Sequence, residues 1–121
     1  MTIEQLQALP DKELNALAAK LRGWYDCEAG NRPCYHDSET LAEVCDNWTP
    51  ATDRNQSGEL LEWFIETQWK GLYLIRSGKL FRSVCLTAWT DGDDLNIEVN
   101  GTGAKAETIA FCAAMLAIQP N

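Results

Sequence analysis

Three cysteines and the only histidine of this chain fall within 19 residues, and their side chains are of the kinds that bind metals. Cys27, Cys34, His36 and Cys45 form a C-x6-C-x-H-x8-C pattern. Zn²⁺ takes thiolate and imidazole ligands in tetrahedral sites. The pattern lacks the closely spaced C-x2-C pair of common zinc knuckles. The sequence therefore leaves two interpretations open, a zinc site or thiols in an irregular loop.

A cysteine nucleophile is a second chemistry for the same residues. It requires a base, a group that orients the base, and an oxyanion hole. Asp37 and Asp46 are the only acids near His36 suited to orient it, and no glycine-rich nucleophile turn is present. The neighbouring acids Asp93 and Asp94 fall in a predicted turn, where solvated carboxylates are the simpler explanation. We predict no catalytic residue, and hence no enzyme.

A second candidate site lies between residues 67 and 90, a stretch with four bases and no acid. Arginine binds phosphate groups well, and aromatic rings stack on nucleobases. This combination predicts a site for a phosphorylated small molecule or a nucleotide. The alternative is that the aromatic residues are core and the bases pair with acids such as Glu62 or Glu66. The candidate ligand-binding residues are Lys70, Arg76, Lys79, Arg82, Trp69 and Trp89.

The charge of the rest of the chain is acidic. Residues 1–66 carry 13 acids and five bases, and residues 91–121 carry five acids and one base, so with the four bases between them the net charge is −8. Nucleic-acid binding needs positive surface that releases counterions, so this balance disfavours it. An acidic surface instead fits a partner protein with a basic surface.

Length and hydropathy indicate the class of protein. A chain of 121 residues supports one core, and we treat residues 1–121 as a single domain. The N-terminus lacks the basic segment and apolar stretch of a secretory signal, and no apolar run approaches the ~20 residues that span a bilayer. We therefore expect a protein of the bacterial cytoplasm with reduced thiols, Cys85 and Cys112 being core residues.

Apolar periodicity predicts three main helices, at about residues 10–22, 52–68 and 104–118. Pro10 suits the first helical turn, and Thr52 or Asp53 caps the second helix. Two strands are predicted at about residues 71–76 and 79–88, joined by a Ser77-Gly78 turn. A third strand at 95–99 has one polar face, which is typical of an edge strand.

Residues 24–47 carry weaker signals. Trp24 and Tyr25 can begin a short strand, and residues 34–36 can form a second. Residues 41–45 are predicted to be irregular or one helical turn.

Both faces of the predicted hairpin are largely apolar, so both need covering. We therefore predict an α+β fold, a three-layer helix/antiparallel sheet/helix sandwich with a β-meander of about three strands and three main helices.

Several short stretches resemble the phage ABA-sandwich domains, a family of small phage and prophage proteins. The sequence Trp-Thr-Pro-Ala-Thr-Asp at residues 48–53, followed by a helix with Gln56 and Glu59, resembles the family's central Pro-x-Thr-Asp entry. Residues 108–114 resemble its final helix, and the first helix resembles its N-terminal portion, whereas residues 26–45 and 110–111 differ from its pattern. The resemblance implies a sandwich fold and a phage origin. It implies no reaction, because the family is largely uncharacterised.

These observations predict a small phage or prophage accessory protein that acts by binding, most simply as an inhibitor of a host protein or defence system. Its acidic body would present the charge of a nucleic acid to a basic host protein. The alternatives are a protein that sequesters a phosphorylated small molecule or nucleotide, and a zinc-binding protein using Cys27, Cys34, His36 and Cys45. Zinc is the only cofactor that the sequence suggests. Pairing through the edge strand at 95–99 would give a homo-oligomer.

Overall fold

The computed structural model describes residues 1–26, 35–37, 43–45, 47–67, 70–76, 83–90, 93–101 and 103–118, with the backbone alone described at 26, 37, 43–45, 70–76, 83–90 and 93–94. These ranges contain four helices and six strands. The helices are α1 Ile3–Ala8, α2 Asp11–Leu21, α3 Arg54–Thr67 and α4 Ala104–Ile118. The strands are β1 Trp24–Asp26, β2 Tyr35–Asp37, β3 Glu43–Cys45, β4 Lys70–Arg76, β5 Ser83–Thr90 and β6 Asp93–Asn100.

The three predicted helices are confirmed as α2, α3 and α4. Pro10 is the residue before α2, and Asp53 rather than Thr52 caps α3 through hydrogen bonds from the amides of Asn55 and Gln56. Helix α1 was not predicted, because six residues are too few to show a helical period. A capping box forms it, in which Thr2 and Gln5 each accept a hydrogen bond from the other's backbone amide.

Strands β4, β5 and β6 form an antiparallel meander in chain order, with β6 at an edge as predicted. The pairing of Thr90 with Asp93 leaves only Asp91 and Gly92 between β5 and β6. Asp-Gly is a preferred pair for a two-residue hairpin connection. Asp93 and Asp94 of the predicted 91–94 turn belong to β6, which begins earlier than expected, and residues 91–92 lie outside the described residues.

The predicted Ser77-Gly78 turn is wrong. A two-residue turn there would place Arg76 opposite Lys79, but Arg76 pairs with Ser83. Residues 77–82, which include the predicted turn, lie outside the described residues. A local Ser-Gly signal identified a hairpin correctly but did not fix its register, which the pairing of the full strands determines.

A second antiparallel sheet contains β1, β2 and β3 in that order. The short strands predicted near Trp24 and His36 are present, but the irregular segment predicted at 41–45 contains β3 instead. A three-residue strand is too short to show an alternation of apolar and polar residues in the sequence. Whether such a segment forms a strand therefore depends on the strands with which it pairs. Tyr35 of β2 turns its side chain into the core, with 6% of it exposed.

Helix α4 lies at the centre of the protein. Its residues from Ala106 to Met115 are all buried, and the helix contacts α1, α2, α3, β5 and β6. A helix with one solvated face would alternate buried and exposed residues, so this one is enclosed on all sides. On β6, Val99 is fully buried whereas Asn96 and Glu98 are exposed, which confirms the predicted polar face of this strand.

The chain is therefore an α+β protein in which an antiparallel sheet and three helices pack against α4. No described helix is long and apolar enough to cross a membrane.

Two glycines provide a matched test of this backbone. Gly58 lies within α3 and Gly103 precedes α4 with a φ of 96°, and a Cβ atom at either position would meet nothing within 4 Å. Gly58→Ala should raise the free energy of unfolding by about 0.5–1 kcal/mol, because alanine loses less entropy in a helix. Gly103→Ala should lower it by about 1–3 kcal/mol, because a side chain disfavours positive φ. Urea denaturation followed by circular dichroism measures both, and shifts in the same direction would contradict the assigned backbone.

Candidate functional site

The loop that enters α3 carries the Trp-Thr-Pro-Ala-Thr-Asp motif, and its polar groups bond to one another. The Thr49 carbonyl accepts hydrogen bonds from the amides of Thr52 and Asp53, at 3.0 and 2.8 Å. The Gln56 side chain reaches back from α3, where its Oε1 accepts from the Thr49 amide at 2.7 Å and its Nε2 donates to the Asn47 carbonyl at 2.8 Å. The motif therefore forms a closed turn that fixes the start of α3.

The same loop is hydrogen-bonded to α2 through Asn15. The indole Nε1 of Trp48 donates to the Asn15 carbonyl at 2.9 Å, and the Ala51 amide donates to Asn15 Oδ1 at 2.8 Å. Trp48 and Ala51 are buried, with 2% and 4% exposed. The motif that carries the family resemblance thus contributes to folding, through hydrogen bonds made by Trp48, Thr49 and Ala51 within the protein.

An arginine and several aromatic rings connect α2, β1 and α3 beside this loop. The Arg22 guanidinium lies 4.5 Å from the ring centroid of Trp24 and 5.1 Å from that of Trp63. Trp24 in turn packs edge-on against Trp48 at 4.7 Å, and Trp63 packs against Phe111 of α4 at 6.1 Å. Cation–π contacts of this kind stabilise the packing of the three elements.

A buried carboxylate joins α3 to α4. Glu107 is only 1% exposed, and its Oε1 accepts a hydrogen bond from Ser57 Oγ at 2.7 Å. Arg54 Nε lies 3.4 Å from Oε2, an atom with no hydrogen-bond partner among the described residues. All three residues are near the first turns of their helices, whose positive ends favour a negative charge. Glu107 was not among the predicted site residues, although its position as the one acid in the mainly apolar stretch 104–118 is a signal that the sequence contains.

The most exposed face of α3 is acidic. Buried residues Ser57, Leu60, Leu61 and Phe64 form its inner face. By helical periodicity the opposite face carries Glu59, Glu62 and Glu66, all exposed. Intervals of three and four residues place them about 4.5 and 6 Å apart along the axis. We call these three residues the acidic face of α3.

The acidic face of α3 does not stabilise the helix. None of its three glutamates forms an ion pair with another side chain that the structure describes. Like charges three or four residues apart cost about 0.2–0.5 kcal/mol per pair. In addition, Glu66 stands in the last turn, where the negative end of the helix dipole disfavours an acid. In the sequence, Glu62 and Glu66 stand out only as possible partners for the bases of residues 67–90.

The structure describes two of the four predicted metal ligands. The His36 ring is half-buried in β2 and lies 5.5 Å from the Tyr25 ring. In the strand register, His36 pairs with Glu43 whereas Cys45 pairs with Tyr35, so the two predicted ligands do not share a cross-strand pair. Cys27 and Cys34 lie outside the described residues. Within the described residues no group of three metal-binding side chains occurs, and the zinc site stays a prediction.

The predicted phosphate-binding residues are only partly placed. Lys70 begins β4 and pairs with Trp89 of β5, whereas Arg76 ends β4, about 20 Å away at 3.3 Å per residue. Trp69, Lys79 and Arg82 lie outside the described residues. The backbone therefore places Lys70 and Trp89 at one end of the β4–β5 pair and Arg76 at the other, and the six-residue site stays a prediction.

The thiol of Cys112 is a free, fully buried group in α4, as predicted for a core cysteine. Burial raises its pKa from 9.0 to about 12, because the thiolate would lose its hydration. The thiolate is the nucleophilic form, so this cysteine is unreactive in the folded protein.

Comparisons with known proteins give no relative. No family model matches the chain, and no curated protein or solved structure matches it. The resemblance to the phage ABA-sandwich domains therefore stays a prediction.

Replacing Asn15 tests the anchoring of the entry loop. Asn15→Ala removes the acceptor of the Ala51 amide, and an unsatisfied buried donor costs about 1–3 kcal/mol. The free energy of unfolding, measured in urea, should fall by that amount. Asn55→Ala is the matched control on an exposed position of α3 and should change stability by less than about 0.5 kcal/mol. Equal effects of the two variants would rule out the anchoring role.

Cys112 should make folding stability depend on pH in the alkaline range. The unfolded thiol ionises near pH 9.0 and the folded thiol near pH 12, so the stability due to its burial is complete below pH 9 and declines as pH rises toward 12. Cys112→Ala should flatten that decline. An alkylating reagent should label Cys112 only after unfolding, as peptide mass spectrometry would show. Rapid labelling of Cys112 in the native protein would contradict its placement.

Proposed function

We propose that this protein is a phage or prophage accessory factor of the bacterial cytoplasm that acts by binding, and that the acidic face of α3 occupies a basic surface on a host protein. The exposed row formed by Glu59, Glu62 and Glu66 carries this proposal. The host protein could be a component of a defence system. If its basic surface normally binds nucleic acid, occupation of that surface by α3 inhibits it. No catalytic step is part of the proposal.

The support for α3 makes the acidic face suitable for binding. Asp53 caps the helix, the Ser57–Glu107 hydrogen bond holds its first turn, and the Trp63–Phe111 contact holds its second half. The carboxylates thus project from a helix that is held at three positions along its length. A preorganised surface loses less entropy on binding than a mobile one.

The negative charge of the acidic face of α3 would increase the rate and the selectivity of association with a basic partner. Acidic patches steer a basic partner during diffusional encounter, and they repel partners of the same sign. A row of carboxylates along one helix also presents regularly spaced negative charge to side chains that evolved to contact phosphates. Raising the ionic strength should weaken such a contact, because salt screens exposed charges.

The finer architecture belongs to the same proposal. We propose a helix/antiparallel sheet/helix sandwich of the phage ABA type, supported by the meander β4–β6 and by α4 packing against β5 and β6. Along β6, the row with Asn96, Glu98 and Asn100 is exposed. A second helical layer would therefore have to cover the part of the sheet nearer β4, where α3 contacts that strand.

A phosphorylated small molecule is the alternative ligand. The pairing of Lys70 with Trp89 favours it, since a cation and an aromatic ring on neighbouring strands can bind a phosphate and stack on a base. Such a ligand would be held at the end of the sheet next to α3, with Trp69 as a neighbour in sequence. Arg76 would not contact it.

Neutralising the acidic face of α3 tests the main proposal. The variant Glu59→Gln/Glu62→Gln/Glu66→Gln and the control variant Glu4→Gln/Glu13→Gln/Glu98→Gln each remove three exposed acids and change the net charge from −8 to −5. Tagged full-length proteins are captured gently from bacterial lysate at low and high salt, and native mass spectrometry identifies what they retain. The wild-type chain and the control should retain a host protein, which the α3 variant should lose by about tenfold, or 1.4 kcal/mol.

The stability of the α3 variant separates binding from folding. Removal of like-charge pairs should leave its free energy of unfolding unchanged or up to about 1 kcal/mol higher, so lost capture cannot reflect unfolding. Equal capture by both triple variants, or capture that does not depend on salt, would refute the proposal. A retained mass of a few hundred daltons, in place of a protein, would favour the phosphorylated ligand.

A further inference from the structure

The junction between β6 and α4 contains the only Asn-Gly pair in the sequence. Asn100 is the last residue of β6 and is exposed. Gly101 follows with a φ of 101°, and a Cβ atom built on it would meet nothing within 4 Å. The junction therefore places an exposed asparagine directly before a residue that has no side chain and has open space at its Cβ position.

We propose that Asn100 is a site of spontaneous covalent modification that converts it to aspartate and isoaspartate. The backbone nitrogen of Gly101 attacks Asn100 Cγ, so that an N–Cγ bond forms and the Cγ–Nδ2 bond breaks. The amide leaves as ammonia, taking up the proton that the Gly101 nitrogen loses. Water then opens the resulting succinimide ring at either carbonyl carbon, giving an α-aspartyl or a β-aspartyl linkage. No oxidant or enzyme is required.

The position of Asn100 at the end of a strand favours this reaction. Ring closure requires Asn100 to leave extended geometry, which breaks its pairing with Ser83 at the end of β6. Opening at the end of an element costs far less free energy than global unfolding. Asn96 provides the contrast within the same strand, because it pairs with Thr87 in the middle of the ladder and precedes the β-branched residue Ile97.

The two products differ in their structural consequences. The β-aspartyl linkage inserts one methylene into the backbone, and only residues 101–103 separate β6 from α4. Gly101 and Gly103 already adopt positive φ in that connection, and α4 is buried over ten consecutive residues. The added backbone length therefore disturbs the packing of α4 against its neighbours. The α-aspartyl product adds a charge to the exposed row that contains Glu98 and leaves the backbone length unchanged.

Ageing of the purified full-length protein tests the proposal. The native protein and a urea-unfolded sample are incubated in heavy-oxygen water at mildly alkaline pH, digested, and compared by peptide mass spectrometry over time. In the native sample, the peptide containing Asn100 should gain the mass difference between an amide and a carboxyl group, with one heavy oxygen atom incorporated. The peptide should resolve into two chromatographic forms, only one of which a protease specific for aspartate cleaves.

Asn100→Asp is the matched control, because it carries the α-aspartyl product without the added methylene. It should form no new deamidated species at this position, and it should unfold at the same urea concentration as freshly prepared wild-type protein. Aged wild-type protein should show a second, less stable population in proportion to its isoaspartate content. Modification in urea but not in the native protein would overturn the proposal, as would native modification spread equally over Asn96 and Asn100.

Discussion

The complete burial of α4 is the constraint on which the rest of the structure depends. A helix enclosed over ten consecutive residues needs a neighbour on every side, and the sheet, α1, α2 and α3 provide them. Alanines in α4 permit close approach of these neighbours. The Phe111 ring of α4 packs against the Trp63 ring of α3. The glycines before α4 allow the chain to turn directly from the edge strand into the centre of the core.

The Glu107 carboxylate lies in this apolar centre, and the cost of its burial must be offset by other contacts. A carboxylate left unpaired in a protein interior costs several kcal/mol, so Glu107 must be neutralised or hydrogen-bonded. Ser57 and Arg54, both from the first turn of α3, supply these contacts. The need to satisfy Glu107 therefore fixes how α3 lies on α4, and this orientation in turn decides which face of α3 meets the solvent.

Elements with a long, regular period were predictable from the sequence, and those defined by distant partners were not. Helices α2, α3 and α4 followed from apolar spacing and from residues such as Pro10 and Asp53. Helix α1 and strand β3 were missed, since a few residues show no period and their packing partners stabilise them. The β4–β5 register was wrong because a local Ser-Gly signal cannot report the pairing of whole strands.

The acidic face of α3 could not be predicted from the sequence for a related reason. The sequence shows that acids recur in α3, but only the structure shows that Glu59, Glu62 and Glu66 are exposed and lack ion pairs among the described side chains. Periodicity alone would have placed them on one side of a helix. It could not exclude that the bases of the following strands neutralise them, because strand register and side-chain reach determine that.

The use of charge distinguishes the residues that support the fold from those available for binding. Asp53 caps a helix, Glu107 is paired inside the core, and Asp11 meets Lys105 at 3.0 Å, so each of these acids has a structural partner. The acidic face of α3 has none among the described residues and opposes both its own charges and the helix dipole. In a domain whose stability is a small difference between large terms, charges that lower stability persist more readily when they serve an interaction outside the chain. The physical case for a binding function therefore rests on the acids that the fold does not use.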